Sequence, residues 1–289
     1  MTSLVKLRVF SGRPNPVFAL SGPQEQELIA RLERAQTLTG RRPSGVFGGL
    51  GYGGFSISRP ADDPAGPLEA LVHEGVIDRG LNGPNAIDNV DLEGWLANIV
   101  GPQLSERLRE HVRNRLVAAP TPDNPAFALA PRSGAVCPQC NAPDAPAYNP
   151  GIWNVPAVQP YNNCYNYANN QITNTFAQPG RATGHEAQHM TCADVTAAAT
   201  SDGLQAVPNF SAPLQKGGGW YVALVIWPGQ DYHWYRQDNS GCWSHKSGQG
   251  PARDIDAAGN PIVDPQTCDR GPYTDFCTYM VTNYNVHIQ

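Results

Sequence analysis

The chain has 289 residues, 40% hydrophobic and only 16% charged, with 27 prolines, 29 glycines and a formal net charge of −5. That length and apolar content support one large or two ordinary packed domains and exclude a disordered chain, while the proline and glycine load favours a turn-rich α+β or mostly β protein over a helical bundle. The only lysines are Lys6, Lys216 and Lys246, so nucleic acid is not an expected partner, and no segment approaches the roughly 20 apolar residues of a membrane span.

Val5, Leu7 and Val9 alternate with Lys6 and Arg8 as a half-buried strand does, until Ser11 to Pro16 break the pattern. The first ten residues lack the apolar core of a signal peptide. Ser21 caps a helix with Pro23 in its first turn and an apolar stripe of Leu28, Ile29, Leu32 and Ala35, running to Thr37. Gly48 to Ser58 reads as a glycine-interrupted strand and Leu71 to Ile77 as another. Leu92 to Val100 and Leu104 to Val117 read as amphipathic helices. His73 and His111 stand isolated, as plain core or surface histidines. Residues 1–118 are thus expected to form a small α+β domain without a role legible in its residues. Pro120, Pro122, Pro125 and Pro131 mark a proline-rich linker over 119–136.

All seven cysteines follow that linker, at 137, 140, 164, 192, 242, 268 and 277. If six pair, one is left free, as a nucleophile must be. Their number favours an extracellular or cell-envelope location. Cys137-Pro138-Gln139-Cys140 also has the spacing of half a zinc knuckle or of a redox pair. After an extended, proline-rich lead-in, Asn162 or Asn163 caps a helix that Gln178-Pro179-Gly180 ends. Asp194 to Ala199 is a short helical patch. Trp220 to Trp227 is apolar enough to be a central strand, Pro228-Gly229 turns it, and Asp231 to Gln237 returns with His233, Tyr235 and Gln237 on one face. Asn239 to Gly241 turns again into Cys242 to Lys246.

Cys164 would lie in the first turn of its helix, where the positive end of the helix dipole favours thiolate and free backbone N–H groups could bind an oxyanion. His233, in a core strand, is the expected base, and His245, twelve residues on across a hairpin, the group that orients it. A cysteine at a helix start, a histidine heading a strand and a second polar residue one hairpin later resemble the papain-like clan, within it the bacterial NlpC-type cell-wall peptidases and CHAP amidases. The phrases Asn163-Cys164-Tyr165-Asn166-Tyr167-Ala168, Gln178-Pro179-Gly180, His233-Trp234-Tyr235-Arg236-Gln237-Asp238 and Trp243-Ser244-His245-Lys246 are also similar to a group of uncharacterised bacterial proteins. The resemblance implies a papain-like domain over 137–289, with an antiparallel sheet and a nucleophile helix. It further implies a thiol hydrolase or acyltransferase acting on amide bonds of peptide or peptidoglycan-like substrates, with no cofactor. Gln159, Asn162 and Asn163 stand where an oxyanion donor would be expected.

Two other readings compete. His185-Glu186-Ala187-Gln188-His189 matches the H-E-x-x-H pattern of zinc peptidases, although Pro179, Gly180 and Gly184 precede it and few apolar residues flank it. Asp254 to Gly259 matches a calcium loop only in part, and a turn at Ala258 to Asn260 suits it better. The non-catalytic alternative is a disulfide-stapled surface or secreted binding module, with the Trp and Tyr residues of 220 to 243 as a partner face.

Overall fold

The computed structural model describes residues 3–38, 50–80, 84–116 and 136–289. The proline-rich linker expected over 119–136 lies outside the described residues, apart from Val136. The chain divides into two compact units, the first made of residues 1–9, 15–48 and 52–129 and the second of 10–14, 49–51 and 130–289.

The first unit is an antiparallel sheet with helices. Its strands are β1 (Leu4–Leu7), β2 (Val17–Ala19), β3 (Phe55–Arg59), β4 (Leu68–His73), β5 (Val76–Asp78) and β6 (Ala86–Ile87), in the order β2-β1-β3-β4-β5-β6. The helices are α1 (Gly22–Arg34), α2 (Leu92–Val100) and α3 (Glu106–Arg115). Alternation in β1 buries Val5 and Leu7, which join Leu28, Phe55, Ile57, Val72 and Leu96 in the core. The single strand expected over 71–77 is instead a hairpin. Glu74 and Gly75 both take positive φ (48° and 72°), the two-residue turn whose twist suits antiparallel strands, and His73 pairs with Val76.

The second unit holds β7 (Gln205–Val207), β8 (Trp220–Trp227), β9 (Asp231–Gln237), β10 (Trp243–Lys246), β11 (Ala252–Arg253) and β12 (Asp275–Thr282), in the antiparallel order β11-β10-β9-β8-β12-β7. All eight residues of β8 are buried between β9 and β12. Three short helices accompany the sheet: α4 (Pro150–Trp153), α5 (Cys164–Ala168) and α6 (Cys192–Ser201). The α+β, papain-like architecture expected here is not what forms. The nucleophile helix shrinks to the five residues of α5, because Asn170, Asn174 and Phe176 take positive φ (52°, 58° and 54°), a conformation no α-helix accommodates. Among the described residues two antiparallel sheets dominate, with few helices, of which α1 has 13 residues.

Candidate functional site

Cys164 is the first residue of α5, and Asn163 caps it by accepting from Tyr165 N (3.0 Å) and Asn166 N (3.1 Å). Asn163 uses both amide hydrogens on carbonyls, Gly12 O at 2.8 Å and Ala177 O at 2.7 Å. Asn162 is equally committed, donating to Val158 O (2.8 Å) and Asn174 Oδ1 (2.7 Å). Gln159 donates to Gln249 O, and its own carbonyl accepts from Lys246 Nζ. These groups clamp the loops around α5; as arranged, neither Asn162 nor Asn163 has an amide hydrogen left for a developing oxyanion. Cys164 is fully buried. Burial, then the neighbouring Asp231 carboxylate, pushes its thiol well above the ordinary range, against the pull of the Trp234 backbone and Lys246. The activated thiolate expected of a helix start is therefore not formed here.

Strand alternation separates Cys164 from His233. On the face that α5 covers, the Tyr165 ring lies 5.4 Å from Trp234, the Arg236 guanidinium sits 4.1 Å over Tyr167, and Ser244 Oγ meets Tyr167 OH at 2.7 Å. His233, Tyr235 and His245 occupy the opposite face, with ring centroids 4.7 Å (His233 to Tyr235) and 4.9 Å (His233 to His245) apart. His233 Nε2 meets His245 and its Nδ1 has no hydrogen-bond partner among the described residues, so neither imidazole nitrogen is bonded to the Cys164 thiol and no Cys–His hydrogen bond is formed.

The two histidines do meet. His233 Nε2 lies 3.0 Å from His245 Nδ1, and His245 Nε2 lies 2.9 Å from Ile255 O. A carbonyl only accepts, so His245 carries a proton on Nε2; in the neutral ring, which burial favours, its Nδ1 then accepts from His233 Nε2. Burial drives His233 well below the usual histidine range and His245 down to about 4. These groups charge in the unfolded chain near pH 6.5 but resist charging when folded. The pair's contribution is therefore complete above that pH and is lost as pH falls from about 6.5 towards about 4. Against a His233→Gln, His245→Gln variant, urea unfolding of the wild type should weaken by about 1.4 kcal/mol per pH unit per imidazole between pH 6 and 5. A difference that stays flat with pH would show that the pair is not held neutral.

Four buried charged side chains organise the rest of the second unit. Asp231 accepts from Ser11 N (2.5 Å), Gly12 N (3.2 Å), Arg13 N (3.0 Å) and Tyr273 OH (2.6 Å). Burial raises it to about 6 against the pull of these donors. Gly12 has to be glycine, since a Cβ there would sit 2.3 Å from the Tyr232 ring. Arg236 pairs with Asp238 at 2.8 Å, with both side chains buried. Lys246 Nζ bonds three carbonyls, Gln159 O at 2.6 Å, Asn162 O at 2.5 Å and Gly248 O at 2.7 Å. In the first unit Glu93 plays a similar part, accepting from Tyr52 OH (2.8 Å) and from the backbone of the β4–β5 turn at Gly75 (3.2 Å). His73, read as isolated, lies 3.6 Å from Glu93.

The H-E-x-x-H stretch is not helical. Glu186 pairs with Arg181 at 2.9 Å, and His189 is 81% exposed beside Asp194. His185, Glu186 and His189 thus share no helical face, and no cluster of three metal-ligating side chains occurs among the described residues. Asp256 accepts from Ala258 N (3.0 Å) and Asn260 N (2.8 Å), closing a turn. Disulfides join Cys137 to Cys242 and Cys192 to Cys277, while Cys140, Cys164 and Cys268 are free.

Over 133 residues, 46% of this chain and 87% of the relative, the sequence is 50% identical to insoluble matrix shell protein 1 of Ruditapes philippinarum. The chain belongs to the family of that protein. No family model matches it, and no solved structure does.

Membership in the matrix shell protein family corrects the papain-like reading and the thiol-protease activity drawn from it. The phrases that carried the resemblance are packing and capping signals: Asn163 holds α5, Tyr165 and Tyr167 pack on the sheet, and His233 is bonded to His245. The aromatic partner face is corrected too, since Trp220, Tyr221, Trp227, Tyr232, Trp234, Tyr235 and Trp243 are all buried. What sequence reasoning missed is the set of buried charges, although one signal for it was visible. Asp231 and Arg236 fall in the strand that returns beside the central strand Trp220 to Trp227, and a charge buried there requires a partner.

Proposed function

We propose that this protein is a non-catalytic structural component of an insoluble extracellular matrix, its second unit a rigid sheet stapled by disulfides. The observation that carries this reading is the 50% identity to a protein named as an insoluble matrix shell protein. Two features support it. The disulfides tie positions 105 and 85 residues apart, as suits a protein that persists outside cells. Gln159, Asn162 and Asn163, expected as oxyanion donors, are engaged in holding loops. No helix among the described residues is long and apolar enough to cross a membrane.

The full chain with its bridges intact should pass into a washable pellet as it is concentrated, while keeping native tryptophan fluorescence. A Cys164→Ala variant should do so to the same extent. Protein that stays dispersed under these conditions, or assembly that vanishes with Cys164, would defeat the proposal.

A further inference from the structure

Three cysteines converge at one corner of the second unit. Cys137 and Cys242 form a bridge with 4.9 Å between their Cα atoms, and Cys140, three residues from one bridge member, is free. Gly241, beside the other member, takes φ +88°, and a Cβ built there would meet Pro138 O at 1.7 Å and Cys140 N at 3.2 Å. The Pro138–Cys140 backbone therefore lies directly on the β9–β10 turn, which brings Cys140, three residues after Cys137, against Gly241, the residue before Cys242. Backbone bonds hold the strap, from Leu214 N to Asn141 O (2.8 Å) and from Asn239 N to Pro146 O (3.0 Å). All three cysteines are partly exposed, and Val136, next to Cys137, is 90% exposed. The other free thiols are differently placed: Cys164 is fully buried, and Cys268 lies against the Tyr235 hydroxyl, pushed up to about 12 chiefly by burial.

We propose that Cys137, Cys140 and Cys242 form a thiol–disulfide exchange site that links copies of this chain covalently. The Cys140 thiolate attacks the Cys242 sulfur; the Cys140–Cys242 bond forms as the Cys137–Cys242 bond breaks, and the electron pair leaves on Cys137 as a thiolate. Beside the exposed Val136, that thiolate attacks the same bridge in a second copy. A disulfide between the copies forms, the second copy's bridge breaks, and one of its cysteines departs as thiolate to continue the sequence. Each step conserves the numbers of thiols and disulfides, so growth consumes no oxidant. The inference rests on the matrix reading only for the use to which such linkage is put.

The test is to hold the purified full chain, bridges intact, at high concentration under inert gas with a chelator, then resolve it on a non-reducing gel. A ladder that collapses with reductant is expected for the wild type and for Cys268→Ser, and its loss is expected for Cys140→Ser. Mass spectrometry of a mixture of isotopically light and heavy chains should find Cys137 in the cross-links between copies and Cys140 joined to Cys242 within one. A wild type that stays monomeric, or a ladder that survives in Cys140→Ser, overturns the proposal. Pelleting without a ladder removes exchange and leaves the matrix reading in place, whereas a Cys140-dependent ladder that stays in the supernatant does the reverse.

Discussion

Arg236→Leu is expected to destabilise the second unit by about 3–5 kcal/mol, the usual cost of breaking a buried ion pair from one side. The guanidinium is wholly buried and donates to Asp238 Oδ1 (2.8 and 3.0 Å), Asn170 Oδ1 (3.0 Å) and Tyr167 OH (3.0 Å) while lying over the Tyr167 ring. Leucine would leave Asp238 buried without its cation, and burial already pushes that carboxyl up against the pull of Arg236. It would also open the contact between β9 and α5. Urea unfolding followed by tryptophan fluorescence measures the loss, since Trp220, Trp227, Trp234 and Trp243 all lie in this sheet. Replacing both partners, Arg236→Met with Asp238→Asn, should recover much of it, because no uncompensated charge stays inside. A loss below about 1 kcal/mol for Arg236→Leu would mean that water reaches Asp238.

Removing the Cys192–Cys277 bridge should have a comparable effect. It ties the start of α6 to β12 across 85 residues, and on the chain-entropy account a loop of that size contributes about 4–5 kcal/mol. Cys192→Ser with Cys277→Ser should lower the melting temperature by roughly 8–20 °C, taking about 2–4 °C per kcal/mol for a domain of this size class. Calorimetry on the oxidised wild type and the double variant decides it. An unchanged melting temperature would show that α6 and β12 are held by packing alone, their unfolded chain being no less constrained without the bond. Cys137–Cys242 closes a loop of similar length, but a third cysteine stands beside it, so its removal also eliminates an exchange partner.

How much of this was legible in the residues follows from the range of the forces concerned. Leu92 to Val100 reads as a helix and forms one with those bounds, and β8, β9 and β10 fall within the stretches read as strands, because periodicity and turn residues act over a few positions. Alternation likewise put His233 and Tyr235 on one face of β9 and Trp234 and Arg236 on the other. Which face would be covered by α5 is a different matter, since a strand pattern is symmetric between its two sides. Only the packing of Tyr165 and Tyr167 on Trp234 and Arg236 decided that, and with it that Cys164 would be buried without a bond to His233. The pairing of the cysteines, the cradle of Ser11 to Arg13 around Asp231 and the placement of β12 beside β8 likewise depend on segments far apart in the chain. Their partners are chosen by the closing of the sheet, a long-range event that leaves no local mark in the sequence. The residues by themselves determined a cysteine at a helix start and two histidines a hairpin apart; the tertiary structure made the first a buried thiol and the second a neutral pair inside a sheet.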